Sequence, residues 1–170
     1  QNRRQVIQKQ KARLEGGYWA FGVPPGLVNK KHPTKGKILT PVQPLADIYK
    51  TAIEKFARYE LPTIESVRIF ILNSYREYGI TKKLSVSGTI RILRQLLYTG
   101  YLEYEPWGVG RMKGQHEGFI SLETHLQVLD ILANKAKPRL RKDYNEDFPV
   151  RGFALCSDCI RPMTAAWFTG

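Results

Sequence analysis

The stretch Ser85-Val86-Ser87-Gly88-Thr89-Ile90-Arg91-Ile92-Leu93-Arg94-Gln95-Leu96-Leu97-Tyr98-Thr99-Gly100-Tyr101 decides the fold of this chain. Either Ser85 or Ser87 can accept a free N–H group of a first helical turn, so a helix is predicted to begin at one of them and to end at Gly100. Aliphatic residues recur at helical spacing on its buried face: Ile90, Leu93 and Leu97, with Leu96 beside them. Polar side chains fall on the outward face: Arg91, Arg94 and Gln95.

Two further helices are predicted upstream. The first begins after Thr40-Pro41 and Pro44, since proline is tolerated in a first turn, and ends before Leu61-Pro62. The second follows Thr63 and stops at Gly79. Their apolar residues recur at helical spacing: Leu45, Ile48, Ala52, Ile53 and Phe56 in the first, and Ile64, Val67, Ile71, Tyr75 and Tyr78 in the second.

Downstream, residues 101–105 and 117–121 read as two short strands, joined by a glycine-rich basic turn that contains Arg111 and Lys113. Ser121 then caps a fourth helix with a leucine stripe: Leu122, Leu126, Leu129 and Leu132. Three helices followed by a hairpin with a basic tip predict an α+β, predominantly helical fold, a winged-helix-like DNA-binding domain. In that arrangement the third helix enters the major groove.

The amino-terminal part is basic. Residues 1–15 are polar helix formers that predict the end of a longer helix, and Gly16-Gly17 stops it. The segment from Gly17 to Gly26 is rich in glycine and proline and carries Tyr18, Trp19 and Phe21, so we expect an extended, ordered loop. Residues 29–37 are predicted to be a polar, basic loop.

Composition narrows the class of protein. The chain has 170 residues, 42% of them hydrophobic, and a formal net charge of +12. Its apolar fraction suits a folded core, no apolar run approaches the roughly 18 residues of a membrane span, and no signal peptide opens the sequence. A strongly positive field favours a polyanionic partner, DNA or RNA. The alternative is a basic protein without a charged ligand.

The only two cysteines, Cys156 and Cys159, have the spacing of a zinc knuckle, in which two thiolates hold one ion. A closed site needs four ligands, so this segment reads as half of a zinc ribbon. A redox pair is the alternative, but the preceding residues 149–152 do not suggest the strand-to-helix turn that such a pair needs. The three histidines, His32, His116 and His125, are interpreted as ordinary surface or loop residues, because no spacing supports a metal site.

Four segments together resemble the C-terminal half of large serine recombinases, the integrases and transposases of phages and mobile elements. They are residues 17–26, residues 85–101, the segment Gly118-Phe119-Ile120-Ser121-Leu122-Glu123-Thr124, and residues 148–164 around the cysteines. The chain departs from the family at Leu27, where an aromatic residue is common, and at Ile160, where glycine is frequent. The second cysteine pair is also absent, which leaves metal loading of this chain open.

The resemblance implies a division of the chain. Residues 1–16 would end a linker helix from a catalytic domain that is absent here, and residues 17–134 would be the recombinase DNA-binding domain. Residues 135–147 would be a basic linker and residues 148–170 a partial zinc ribbon that binds zinc. The parent protein would be a serine site-specific recombinase, whereas this chain has no match to the catalytic serine domain and would bind DNA without cutting it.

The implied partner is double-stranded attachment-site DNA in the cytoplasm of a bacterial or phage-infected cell, with no membrane partner. We expect the full-length protein to form a homodimer or tetramer on DNA and this chain to be a monomer. A free-standing winged-helix transcription regulator is the alternative, and an RNA-binding zinc protein is a third. Reading the gene on both sides of the chain would separate these possibilities.

Candidate DNA-binding residues follow from exposure and charge. For the third helix the alternative is a plain solvated face, and for the basic linker it is a flexible solvated tether. The aromatic loop is predicted to insert into the minor groove, and its alternative, packing against the domain, is compatible with that contact. The candidates are Arg13, Tyr18, Trp19, Lys30, Lys31, Lys35, Lys37, Lys82, Lys83, Ser85, Ser87, Thr89, Arg91, Arg94, Gln95, Arg111, Lys113, Arg139 and Arg141, with Cys156 and Cys159 as metal ligands.

Overall fold

A computed structural model describes residues 2–133 of the chain. These residues belong to the first of two compact units, which spans residues 1–136. The predicted basic linker with Arg139 and Arg141, and the partial zinc ribbon with Cys156 and Cys159, lie outside the described residues.

The two helices predicted upstream of residue 85 are confirmed. Helix α2 spans Leu45–Ala57 and helix α3 spans Ile64–Glu77. Thr63, after which this helix was predicted to begin, caps α3: its Oγ1 accepts from the Ser66 N–H at 3.0 Å, while the Ser66 Oγ accepts from the Thr63 N–H at 3.1 Å. Tyr78 does not complete the buried face, because it lies beyond the helix and its side chain is 62% exposed.

The third predicted helix is shorter than expected. Helix α4 spans Val86–Leu93, and a separate 3₁₀ turn follows at Leu96–Thr99. Ser85, rather than Ser87, is the cap, with its Oγ accepting from the Gly88 N–H at 3.1 Å. The break between helix and turn lets Leu96 and Leu97 reach the core beside Leu93.

The hairpin downstream of α4 exists, but its second strand was wrongly placed. Strand β3, Tyr101–Tyr104, pairs antiparallel with β4, Val109–Lys113. The basic residues assigned to the turn therefore lie in a strand, whose buried Val109 and half-buried Met112 supply an inward face. A 3₁₀ turn at Glu105–Trp107 and Gly108, with a φ of 68°, reverse the chain.

Residues 117–121 form no strand, because their backbone instead closes against the turn after α4. The N–H groups of Phe119 and Ile120 both donate to the Tyr98 carbonyl, at 2.8 and 3.1 Å. A Cβ at Gly118 would lie 2.2 Å from the Thr99 carbonyl carbon, so only glycine allows this contact.

A second hairpin replaces the predicted basic loop at residues 29–37. Strand β1, Leu27–His32, pairs antiparallel with β2, Gly36–Pro41. Leu27 and Leu39 are buried and fix the base of the hairpin on the core. The strand pattern is hard to recognise because most other residues of β1 are exposed, so the alternation of apolar and polar residues is weak.

Helix α1, Asn2–Glu15, confirms the predicted helix, and its buried Leu14 joins it to the core. Helix α5 spans Leu122–Leu132 and begins after the predicted cap Ser121. Its predicted leucine stripe is only partly buried: Leu132 packs against the core, whereas Leu126 is 41% exposed. The fully buried residues of α5 are His125 and Val128.

Three tyrosines connect these elements in the interior. The hydroxyls of Tyr49 on α2 and Tyr75 on α3 are 2.5 Å apart, and the Tyr98 hydroxyl donates to the Pro25 carbonyl at 2.6 Å. The rings of Tyr49 and Tyr98 stack at 6.1 Å. Burial raises the pKa of all three hydroxyls, so they stay protonated at neutral pH.

Candidate nucleic-acid interface

The outward side of α4 and the loop before it form the first candidate surface. We call the exposed residues Lys82, Lys83, Ser85, Ser87, Arg91 and Arg94 the helix surface. The buried face of α4, made by Thr89, Ile92 and Leu93, fixes the direction in which these side chains project. A rigid helix with exposed cations is the kind of element that can be presented to a groove of duplex DNA.

A small concavity of about 190 Å³ lies beside α4. Lys82 and Lys83 line it on the loop side and Arg91 on the helix side, while Tyr49 and Tyr75 also line it. Three cations at the edge of one small hollow are suited to an anionic oxygen group, such as a backbone phosphate.

Two residues of the predicted reading helix are not among its exposed residues. Thr89 is fully buried, and its Oγ1 donates to the Ser85 carbonyl at 3.1 Å, so it does not belong to the accessible surface. Its prediction as a DNA contact is corrected for that reason. Gln95 is only half-buried and lies between α4 and the 3₁₀ turn.

The hairpin of β1 and β2 forms the second candidate surface. Lys30, Lys31, Lys35 and Lys37 are all exposed, and we call this group the lysine hairpin. Lys31 lies directly opposite Lys37 in the strand register. Like charges opposite each other destabilise a two-stranded ribbon in isolation, and a bound polyanion would relieve that repulsion. The His32 ring closes the tip by accepting from the N–H groups of Thr34 and Lys35, both at 3.3 Å.

A groove of about 350 Å³ runs along the lysine hairpin. Lys30, Lys31 and Lys35 line it, and Gln115 and Glu117 also line it. Glu117 reduces the local positive charge without forming an ion pair with these lysines within residues 2–133.

The ion pairs of the described segment leave both surfaces uncompensated. They join Lys11 to Glu15, Arg58 to Glu54 and Glu60, Arg68 to Glu65, and Arg111 to Glu103. Between residues 2 and 133, no lysine or arginine of the helix surface or of the lysine hairpin has a carboxylate within the 4.0 Å of an ion pair. Positive charge that the domain does not neutralise internally is available to a polyanion.

The β3–β4 hairpin is less available. Arg111 on β4 donates from its Nε to the Glu103 carboxylate at 3.1 Å, so part of its charge is already compensated. Lys113 is exposed at the end of β4, opposite Tyr101. Of the two cations predicted there, Lys113 is therefore the more accessible.

The aromatic loop packs against the domain. The centroid of the Phe21 ring lies 4.5 Å from that of Tyr104 and 5.4 Å from that of Trp107. The Trp19 ring meets Phe21 edge-on, with 5.1 Å between their centroids. The Trp19 indole N–H donates to the Gly22 carbonyl at 2.9 Å. Tyr18 is half-buried, and Arg13 at the end of α1 is exposed. The contacts of Trp19 and Phe21 support the packing role that was the alternative for this loop.

The prediction of surface or loop histidines is wrong for His125, which is buried on α5, and only partly right for His116, which lies in a loop but is buried. His116 and His125 are buried, and His32 is half-buried. Burial lowers the pKa of both His116 and His125, and the nearby Arg111 lowers that of His125 further. Across the described part of the chain, no group of three or more histidine, cysteine or acidic side chains could hold a metal ion. None of the helices between residues 2 and 133 has the length and apolar character that crossing a bilayer requires.

No family model matches the chain. The curated proteins also contain no match. Solved structures with a similar architecture include the following two. One, described as the crystal structure of a LSR–DNA complex, has a TM-score of 0.56 and 21% sequence identity, and the match covers 82% of this chain and 42% of that one. The other, described by the sequence requirements of the Listeria innocua prophage attP site, has a TM-score of 0.59 and 19% identity, over 94% of this chain and 64% of that one.

This chain thus spans less than two thirds of each of these two chains. The elements that carry the helix surface and the lysine hairpin belong to an α+β fold shared with part of a protein in a LSR–DNA complex, and at this level of identity the likeness is one of fold.

Proposed function

We propose that this chain is the DNA-binding portion of a large serine recombinase, the class abbreviated LSR. The observation that carries the proposal is the uncompensated positive charge of the helix surface, displayed on a fold that also occurs in a LSR–DNA complex. The lysine hairpin adds a second cationic element on the same chain. Duplex DNA is the polyanion for which an exposed, rigid basic helix is best suited.

The helix surface and the lysine hairpin would contact different parts of DNA, because one lies on a helix and the other on a two-stranded hairpin. The helix surface would enter the major groove, where Arg91 and Arg94 can donate to guanine acceptors and Ser85 and Ser87 to several bases. The lysine hairpin would follow phosphates, because lysine is a flexible point charge rather than a planar fork. Strands β3 and β4 would take the place of the wing in this winged-helix-like arrangement, with Lys113 toward the backbone.

At the level of the parent protein, this portion would hold one half of an attachment site while a catalytic serine domain acts at the crossover. The parent would work as a homodimer or tetramer in the cytoplasm. Helix α1 would be the connection, since Leu14 and the hydrogen bonds from Gln115 to the carbonyls of Gly16 and Gly17 hold its end on the domain.

Zinc belongs to the same proposal. Cys156 and Cys159, with Arg139 and Arg141 before them, would begin a zinc ribbon that contacts the next stretch of DNA. Thiolates are suitable zinc ligands, and two of them hold the ion weakly compared with a closed site of four. Zinc analysis of the purified chain after dialysis against a chelator should find little metal, and stoichiometric zinc that resists the chelator would overturn the missing-ligand argument.

The test of the proposed function is selection from a randomised duplex DNA library by the chain of residues 1–170, followed by a salt titration on the selected duplex. We expect an enriched motif and an affinity that falls steeply as salt rises, because binding releases counterions from phosphates. An RNA duplex of the same sequence is the control, since its deep and narrow major groove excludes a helix. Failure to enrich any DNA motif at low salt, or equal binding of the RNA duplex, would refute the proposal.

A further inference from the structure

Val86 is an exposed aliphatic side chain at the start of α4. It is the first residue of that helix, and 47% of its surface is accessible. The residues that attach α4 to the core are Thr89, Ile92 and Leu93, so Val86 is not needed for that packing. Ile90, one turn later on the same edge, is half-buried.

The local helix chemistry does not explain a valine here. Ser85 supplies the cap, and valine is a weaker helix former than alanine because its branched side chain loses rotamer freedom. An isolated exposed apolar residue is ordinary on a protein surface. This one, however, lies between two exposed serines and among the cations of the helix surface.

Those neighbours also decide against a protein partner. A protein-docking patch needs contiguous apolar area, whereas the exposed residues near Val86 along the chain are Lys82, Lys83, Ser85, Ser87 and Arg91. Their charge complements a nucleic acid. In a major groove, the apolar feature that a base edge displays is the C5-methyl group of thymine, and the first residues of a reading helix are the ones that reach base edges.

We infer that Val86 is a specificity-determining residue whose isopropyl group contacts a thymine methyl in the major groove. This inference rests on the proposed function and names thymine as one base that the helix surface selects. Truncating the Val86 side chain or removing the thymine methyl group would each lose about one methyl-sized apolar contact. Either change alone should therefore weaken DNA binding about three- to fivefold.

The experiment is a two-by-two cycle on the DNA motif selected by the unaltered chain. Wild type and Val86→Ala are each titrated with the selected duplex and with duplexes in which one thymine at a time is replaced by deoxyuridine, which lacks the methyl group. At one position we expect wild type to lose about three- to fivefold, while Val86→Ala, already weakened by that factor, loses no more. Alanine is a better helix former than valine, so the variant keeps the helix.

Ile69→Ala is the matched control. Ile69 is 48% exposed on α3 and is likewise aliphatic, but it lies on the outer side of a different helix. It should leave every thymine-to-deoxyuridine ratio at the wild-type value. If wild type selects a motif and Val86→Ala shows no coupling to any thymine, the inference is wrong and the proposed function stands. If wild type selects no motif, both fail. A change in oligomeric state on Val86→Ala would assign the residue to a protein contact and also overturn the inference.

Discussion

The lysine hairpin and the helix surface carry the same sign of charge on very different supports. Helix α4 is anchored along its length by buried side chains and by the Ser85 cap. The hairpin is anchored at its base by Leu27 and Leu39, while its lysines approach one another across the strands. A side chain that must match a base edge needs a fixed origin, whereas one that follows phosphates does not. The difference assigns base reading to α4 and backbone attraction to the hairpin.

Removing the charge of the lysine hairpin should have the largest effect. Replacing Lys30, Lys31, Lys35 and Lys37 together by glutamine should weaken DNA binding about 10²- to 10³-fold near 0.1 M salt, if each lysine neutralises one phosphate. The slope of log affinity against log salt should become shallower by up to about 3.6. Both quantities can be measured by fluorescence anisotropy on the selected duplex and on an unrelated one.

The loss should be the same on both duplexes, because phosphates are present in every sequence. Lys50→Gln is the control: it removes one charge from the exposed side of α2, outside both surfaces. The loss of DNA affinity in Lys50→Gln gives the part of the effect that comes from net charge alone. A sequence-dependent loss for the quadruple variant would assign base reading to the hairpin and reverse the division between the two regions.

Removing a cation from α4 should give a smaller but selective effect. Arg91→Ala or Arg94→Ala should cost about 1–3 kcal/mol on the selected duplex, because arginine can donate two hydrogen bonds to one guanine. Binding to the unrelated duplex should change much less. Repeating the library selection with each variant would show which position of the motif loses its preference.

Arg111→Ala is the control for the arginine variants of α4. Arg111 has the same charge, but it is already engaged by Glu103 in the β3–β4 hairpin, so its removal should cost less than that of Arg91. If both arginine variants of α4 bind the selected duplex like wild type, α4 does not read the motif.

The sequence predicted the parts of the fold that rest on helical periodicity and capping. Buried residues at helical spacing and the cap residues Thr63 and Ser121 located α2, α3 and α5 close to their observed bounds. The outward direction of Arg91 and Arg94 followed from the same pattern. Thr89 was misjudged because a short polar side chain can bond to its own helix and remain buried.

Both hairpins were harder to predict, for one physical reason. A short strand forms only when it pairs with another strand, so its own sequence says little about it. The paired segments here also lack a clear alternation of apolar and polar residues. Residues 29–37 looked like a loop because their lysines are exposed on both faces. Residues 117–121 looked like a strand, but the glycine at 118 allows their backbone to pack directly on Thr99 and Gly100. The lysine candidates were therefore correctly seen as basic and exposed, while the element that positions them was missed.

The two regions also differ in their dependence on a buried histidine. His116 lies in the core, where its Nε2–H donates to the Leu97 carbonyl at 2.8 Å and holds the 3₁₀ turn that follows α4. Burial lowers the pKa of His116, and its hydrogen bond to Leu97 opposes that shift only in part. His32 contacts the turn of the lysine hairpin instead.

Two buried histidines, His116 beside the 3₁₀ turn and His125 on α5, predict a modest pH dependence of the free energy of unfolding. The unfolded chain takes up a proton on His116 as pH falls below about 6.5, whereas the folded chain resists it, so stability is complete above that pH and is lost toward the lower folded pKa. The free energy of unfolding should fall by up to about 1.4 kcal/mol per pH unit for each such histidine. Urea titrations between pH 7.5 and 5.5 measure it. His116→Gln should flatten the slope even if it lowers stability at every pH, because glutamine does not titrate. Equal slopes for wild type and His116→Gln would show that His116 is not the group that titrates.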